Sequence, residues 1–380
     1  MTISFDDNGK HLALAPLTFT RPVCDLRLGI LTIEESWLKQ LDFNGEVGYI
    51  TEEYLSEKFT AKPSDLRIAG NVKPSKSVAY LVKELVEDGK LSINGNWVAT
   101  KGNGSRVQET TMDENDFMII NHPWELFQNN GRAIRWDFEL ITSGRNTQLP
   151  SSTNTILGNN EIFIEEGAKV ECAILNTTDG PIYIGKDSEI MEGSIIRAPF
   201  ALCDNATIKM GAKIYGDTTI GQHCKIGGEV TNSIFYAYSN KGHDGFVGNS
   251  VIGEWCNLGA DTNTSNLKNN YSNVRYYSYA TKEMVETGTQ FCGLIMGDHS
   301  KTGINTMLNT ATNAGICANI FGGGFPPKQV KSFSWGGFDD SPVFKLDKAY
   351  EVAQNMMGRR QIELTETDKK ILNHLFSQLA

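Results

Sequence analysis

From residue 184 onward, isoleucine or leucine recurs at every sixth position: Ile184, Ile190, Ile196, Leu202, Ile208, Ile214, Ile220 and Ile226. Four residues after each stand Ser188, Ser194, Phe200, Ala206, Ala212, Thr218, Cys224 and Val230, seven of them small. Ile252 and Leu258 resume the phase after a break, and Met296, Thr302, Leu308, Ala314 and Ile320 carry a degenerate version. A period of six is neither helical nor that of an ordinary extended strand. It suits a prism whose flat faces take about six residues each, three faces to a coil. The aliphatic residue fills the interior, the small residue a tighter inward position, and glycine is expected at the corners. Coils would stack at the ~4.8 Å strand spacing and need caps at both ends. In that frame the inward Cys224 is a packing residue.

The glycines follow the repeat. Residues 151–330 hold 23 of the chain's 37 glycines, too localised and too poor in proline for a general linker composition. A chain of 380 residues is too long for one ordinary domain. The pattern divides it into an α/β domain over 1–150, the solenoid over 151–330, and a loop with helices over 331–380. The first region offers strands at Val47–Ile50 and Phe117–Ile120, with an amphipathic helix in SKSVAYLVKELVEDG carrying Val78, Leu81, Val82 and Leu85 on one face. The segment IINHPWELFQNNGRAIRWDFELI reads as the end of that domain with a connecting helix, and Trp124 and Trp136 as core. The tail predicts two helices, in KLDKAYEVAQNMMGRR and in TETDKKILNHLFSQLA, the second opened by a threonine cap.

Charge and cysteine usage narrow the function classes. A formal net charge of −10 argues against nucleic acid or an anionic membrane surface as partner. Seven cysteines without CxxC spacing argue against a disulfide framework, so a cytoplasmic protein with free thiols is expected. The opening MTISFDDNGKHLALAP lacks a basic flank followed by an apolar stretch, and no run of about 18 apolar residues occurs, so neither a signal peptide nor a membrane span is expected. Two interruptions of the repeat, residues 231–251 and 265–293, are the places to look for function, because loops leaving a rigid scaffold commonly carry it.

The stretch NKGHDGFVGNSVIGEWCNLGADTNTSNLKNNY, residues 240–271, resembles the acetyltransferase signature of the GlmU-like family, bifunctional N-acetylglucosamine-1-phosphate uridyltransferases and glucosamine-1-phosphate acetyltransferases. Lys241, His243, Phe246, Gly248, Ile252, Gly253, Asn257, Gly259, Ala260, Thr262 and Asn266 fall in matching places. The resemblance implies a nucleotidyltransferase-like α/β domain followed by a left-handed parallel β-helix, the opposite of the usual right-handed crossover, and a short helical tail. It implies acetyl-CoA as cosubstrate, a nucleoside triphosphate with Mg²⁺ for a nucleotidyl step, a sugar phosphate and a nucleotide as small-molecule partners, and a homotrimer. His243 matches the general base that takes a proton from a sugar amine. Glu229 matches the acid that orients it, with Asp244 as a local rival. Asn266 and Phe246 match sugar-binding positions, the latter a tyrosine in the family. Ala260, Ile304 and Gly322 match places where backbone meets acetyl-CoA.

The sequence departs from the family where basic side chains hold the sugar phosphate: Tyr215, Thr231 and Ser272 stand there. A phosphate needs cationic or amide partners, so Arg197, Lys213, Lys241, Lys268 or Arg275 substitutes, or the acceptor differs. In the first domain, PLTFTRPVCDLRLGILTIEESW resembles a variant of the nucleotide-binding loop with its glycines gone. Thr20, Arg21 and Arg27 are its candidate nucleotide ligands, or else the arginines pair with acidic surface; Asp6, Asp7 and Asp25 are candidates for Mg²⁺. Two alternatives stand beside the bifunctional enzyme. One is a nucleotidyltransferase whose solenoid only trimerises it; the other is a non-catalytic sugar-nucleotide-binding protein. A zinc site of the carbonic-anhydrase kind is disfavoured, since no two of the six histidines have the spacing for adjacent coils.

Overall fold

The computed structural model describes residues 2–380, and in it the six-residue period becomes a three-sided β-solenoid. Face A is a nine-stranded parallel sheet running from Ile162–Ile164 to Gln329–Val330. Face B runs from Lys169–Val170 to Asn240–Lys241, then through single bridges at Asn257 to Lys301–Thr302 and on to Trp335–Gly336. Face C has six parallel strands from Thr155–Leu157 to Phe246–Gly248. The repeat residues sort among these faces by turns. Ile184, Leu202 and Ile220 are in register on face A, Ile190, Ile208 and Ile226 on face B, and Ile196 and Ile214 on face C. All eight are at most 1% exposed, so they form one continuous apolar column. The small positions are buried as well, and the Cys224 thiol donates to the Tyr236 carbonyl at 2.9 Å.

Glycine turns one edge as expected, since Gly193, Gly211, Gly228 and Gly245 lie between face B and face C at positive φ, and it has another job at the edge between faces A and B. One corner is turned in left-handed backbone by Asn205, His223, Tyr238, Trp255, His299, Cys317 and Phe333, with φ between 53° and 63°. The glycines just before that corner mainly provide clearance between coils. A Cβ on Gly221 would come within 2.7 Å of the Phe235 carbonyl oxygen, and one on Gly253 within 2.9 Å of the Met296 carbonyl oxygen. At a coil spacing of ~4.8 Å no side chain fits there.

The two interruptions also differ from each other. Residues 231–251 are not ejected. Ile220 pairs with Phe235, fifteen residues on, where Leu202 pairs with Ile220, eighteen residues on. The coil is shortened by three residues and stays on the stack. Residues 265–293 do leave it, forming an antiparallel hairpin of Arg275–Ser278 and Glu283–Glu286. That hairpin is packed down: Val274 and Tyr276 are buried in the first domain's core, and Tyr276 meets Trp124 edge-on.

The first domain is a six-stranded sheet in the order Val47–Ile50, Ile3–Asp6, Leu66–Ala69, Asn96–Lys101, Gly89–Ile93, Arg106–Thr110. The expected strand at Phe117–Ile120 shrinks to Met118–Ile119. Helix α1, Ile33–Leu41, starts from a capping box of Thr32 and Glu35. Helix α2, Lys76–Lys83, buries Val78 and Val82, while Leu85 is buried just beyond its end. Helix α3, Trp124–Thr142, lies on face A. Asn130 there donates to the Asp217 carbonyl and Thr219, whose hydroxyl bonds the Gly29 carbonyl. A buried Lys73–Asp137 pair, 2.8 Å apart, ties α3 to the loop after residue 27 through Leu28 and Leu31. Helices α4, Leu346–Gly358, and α5, Glu366–Leu379, close the tail, the latter capped by Thr365. They share a core with Phe19, Leu55, Trp255, Cys317 and Phe333, so the tail bridges solenoid and first domain. Among the described residues no helix is long and apolar enough to cross a membrane.

Candidate active site

His243 follows the face B strand Asn240–Lys241 and precedes the face C strand Phe246–Gly248, so it stands on the edge joining those faces. It is exposed, and no side-chain hydrogen bond holds its ring among the described residues. What fixes its loop is Lys241. The register pairs Lys241 with Ile226, an inward position, and the side chain is fully buried. Its ammonium donates to the carbonyls of His243 at 2.7 Å and Asp244 at 3.0 Å. Burial pushes its pKa down to about 8, against the pull of Asp244 and Asp261. Lys241 is thus a lysine in the solenoid interior, not an open phosphate ligand.

One groove borders that edge, and a second lies across face C from it, where the strands turn toward face A. On the face B side a cavity of about 860 Å³ lies between the solenoid and α4, with His243, Ala260 and Ile304 in its wall. Lys209, Lys225, Lys301, Arg359 and Arg360 line it too, with no carboxylate among the lining residues. The two arginines at the end of α4 carry no sequence motif, and only the packing of the tail brings them here. Gly322, expected in the same place, does not line this groove and sits against Phe338.

On the face C side a cavity of about 600 Å³ is lined by Arg135, Arg197, Tyr215, Thr231, Asn249 and Asn266, among others. The Asn266 amide donates to Asn249 at 2.7 Å, which holds both on the groove wall. Glu229 pairs in register with Phe246 on this face and lies 4.0 Å from Lys213. Of the candidate substitutes for the phosphate ligands, Arg197 faces this groove. Lys268 lies 3.3 Å from the Ser272 hydroxyl and donates to the Asn273 carbonyl. Arg275 is on the hairpin, paired with Glu286 at 3.3 Å.

The candidate nucleotide ligands of the first domain are already engaged. Arg21 is 5% exposed and contacts Asp298, Glu254 at 3.3 Å and Asp25 at 3.7 Å. Thr20 also bonds Asp298. Arg27, 6% exposed, contacts the Ile30 carbonyl and Gln222. These residues join the first domain to the solenoid, because buried guanidinium groups need partners and the acidic corner of the coils provides them. The Mg²⁺ candidates do not form a ligand set. The Asp7 carboxylate is taken by His11, Thr51 and the Val23 amide, and Asp6 by Asn8 and Arg67. Among the described residues no group of three or more His, Cys, Asp or Glu could hold a metal. A third cavity, about 380 Å³, lies beside Arg21, Asp25, Glu254 and Asp298 and shares the Tyr238–Trp255 wall with the face B groove.

With this geometry in place, residues 2–146 match the family described as sugar nucleotidyl transferase. The chain is 27% identical over 278 residues to the bifunctional sugar-1-phosphate nucleotidylyltransferase/acetyltransferase of Sulfurisphaera tokodaii, covering 72% of this chain and 62% of that protein. It is 30% identical over 154 residues to the bifunctional protein GlmU of Trichodesmium erythraeum, covering 40% of this chain and 28% of that protein. The chain therefore spans less than two thirds of the length of either relative. Among solved structures, the polySia specific acetyltransferase NeuO matches 55% of this chain and 100% of its own, at 13% identity and a TM-score of 0.28. The sequence resemblance to the GlmU-like family, first seen in residues 240–271, is upheld by both relatives.

Proposed function

We propose that the solenoid is an N-acyltransferase, moving an acetyl group from coenzyme A to the amine of a phosphorylated amino sugar at the edge between faces B and C. The observation that carries this reading is the position of His243 in the wall of the cationic face B groove, on the edge that face B shares with face C. The face B groove offers five cations and no carboxylate, which suits the phosphates of coenzyme A. The face C groove offers Arg135 and Arg197 matched by Asp179 and Asp217, together with amides, hydroxyls and the Tyr215 and Phe291 rings, a mixed polar lining that suits a sugar.

In this reading His243 accepts a proton from the acceptor amine as its nitrogen attacks the thioester carbonyl. The carbon–sulfur bond then breaks, and the coenzyme A thiolate leaves and is protonated. Glu229 orients the imidazole from the neighbouring coil. Ala260 and Ile304 contact the pantetheine arm, and Asn266 and Phe246 hold the sugar. Face C leaves Ile174, Ile195, Tyr215 and Phe291 each at least 37% exposed, and we propose that two further copies of the chain cover it in a trimer. The seven free cysteines fit a reducing, cytoplasmic setting. No nucleotidyl step is assigned to Thr20, Arg21 or Arg27, because each is engaged with the solenoid or with its own loop. Coenzyme A release from acetyl-CoA, with glucosamine 1-phosphate or its nucleotide-linked form as acceptor, tests the proposal. His243→Ala should abolish release with the melting temperature unchanged, and unchanged turnover would remove His243 from the mechanism.

A further inference from the structure

The cavity of about 380 Å³ beside Arg21 is walled by three parts of the chain. These are the loop that carries Thr20, Arg21 and Asp25, the solenoid corner of Glu254, Asp298 and His299, and the tail between Met357 and Leu372. Its charge is the reverse of what a nucleotide needs, with five carboxylates lining it against two permanent cations, Arg21 and Lys58. Lys58 is matched by Asp368 at 2.9 Å. Arg21 alone then faces Asp25, Glu254 and Asp298, and Glu363 adds a fourth carboxylate from the tail. His299 supplies no compensating charge at neutral pH, since burial holds its pKa down at about 4. Carboxylates that outnumber the cations beside them are costly away from bulk water unless a further cation joins them. Asp25 shows that cost: burial pushes its pKa up to about 7, with Arg21 opposing the shift and Glu254 adding to it.

Further observations specify the cation. Arg21 is 5% exposed and its Nε is buried without a hydrogen-bond partner among the described residues, as is Nδ1 of His299 in the same wall. A guanidinium N–H needs an oxygen acceptor, so an occupant that completes this wall carries hydroxyls as well as positive charge. Among the described residues no group of three or more His, Cys, Asp or Glu could hold a metal, which leaves an organic ammonium. The volume lies at the small end of ligand cavities, roughly 300–1,000 Å³, and suits one sugar ring better than a nucleotide.

We infer that this cavity is a binding site for an unphosphorylated amino sugar, with its ammonium among Asp25, Glu254 and Glu363 and its hydroxyls toward Arg21 and His299. The site stands apart from the edge at His243 and does not rest on the acyl-transfer reading. Its test is a binding titration of the full chain at pH 7 with glucosamine, N-acetylglucosamine, glucosamine 1-phosphate and putrescine. Glucosamine should bind saturably, one per chain. N-acetylglucosamine, which lacks the charge, and glucosamine 1-phosphate, which adds an anion, should each bind about tenfold more weakly or worse. Putrescine, which lacks the hydroxyls, should also bind more weakly. Glu254→Gln should weaken glucosamine about tenfold. Glu363→Gln, at an exposed position in the tail and so safe for folding, should weaken it about threefold. His243→Ala should leave it unchanged, which separates this site from the acceptor site of the acyltransferase. Absence of saturable glucosamine binding overturns the inference, as does equal or tighter binding of any of the other three probes. So does glucosamine binding that both glutamate variants leave unchanged or that His243→Ala removes.

Discussion

Two residues of one tetrapeptide show how differently neighbouring motif positions can act. His243 is exposed on an edge, while Lys241, two residues earlier, is fully buried beneath it. An ammonium in an apolar interior is held there at a cost, and its pKa near 8 reflects that burial. What it provides is an anchor: two carbonyls of the His243 loop accept from it. Lys241→Met fills the same space without the charge, so the melting temperature should hold or rise while the loop loses its tether. Coenzyme A release should then fall about tenfold or more, with KM for acetyl-CoA changing little; a variant with wild-type kcat would show that the anchor is dispensable. The motif marked Lys241 as important, but a motif position does not say whether a side chain points in or out. That depended on the shortened coil, which brings Lys241 into register with Ile226.

At the scale of the element, the left-handed corner stacks its rings along the solenoid. His223, Tyr238, Trp255 and His299 form a ladder with successive centroid separations of 5.1, 4.0 and 6.4 Å. His299 ends it beside the Arg21 cluster, and burial pushes its pKa down to about 4, with Lys301 adding to the shift and Asp298 opposing it. Between about pH 4 and its unperturbed value near 6.5 the unfolded chain binds the proton and the folded chain does not. The stability His299 contributes is therefore complete above pH 6.5 and is lost as pH falls to 4, by at most about 3 kcal/mol. Denaturant melts at pH 7, 5 and 4 should show that decline in the wild type and a flatter one in His299→Gln. Parallel declines would assign the acid sensitivity elsewhere. The period of six announced the coils correctly. It did not announce that aromatic residues turn this corner in left-handed backbone, because the repeat records which side chains point inward and is silent on φ.

At the scale of the molecule, the three faces have three fates. Face A is covered by the first domain, face B is roofed in part by α4, and face C stays open. The tail helices, which read from the sequence as a short appendage, hold the assembly together: Lys58 pairs with Asp368 at 2.9 Å, Lys370 with Glu57 at 2.8 Å, and Arg360 donates to the His223 carbonyl. The same packing brings Arg359 and Arg360 to the groove. Replacing both by alanine should raise KM for acetyl-CoA about tenfold or more and leave kcat and the KM for the acceptor near wild type. A change confined to the acceptor would move coenzyme A to the other groove.

The repeat was enough to determine the solenoid, since a run of inward aliphatic residues at a fixed spacing can be buried all at once in only a few ways. The signature at 240–271 was likewise enough to locate the edge on which His243 stands. The partners of the charged side chains were decided only in three dimensions. Arg21 and Arg27 look like phosphate ligands in a sequence because guanidinium groups suit phosphates; folded, they meet Asp298, Glu254 and Gln222, more than 190 positions away. Arg197 has no motif at all, yet the coil register places it in the face C groove beside Tyr215. Apolar spacing is a local property that survives in one dimension, whereas the partner of a charge is whatever the fold brings within a few ångströms of it.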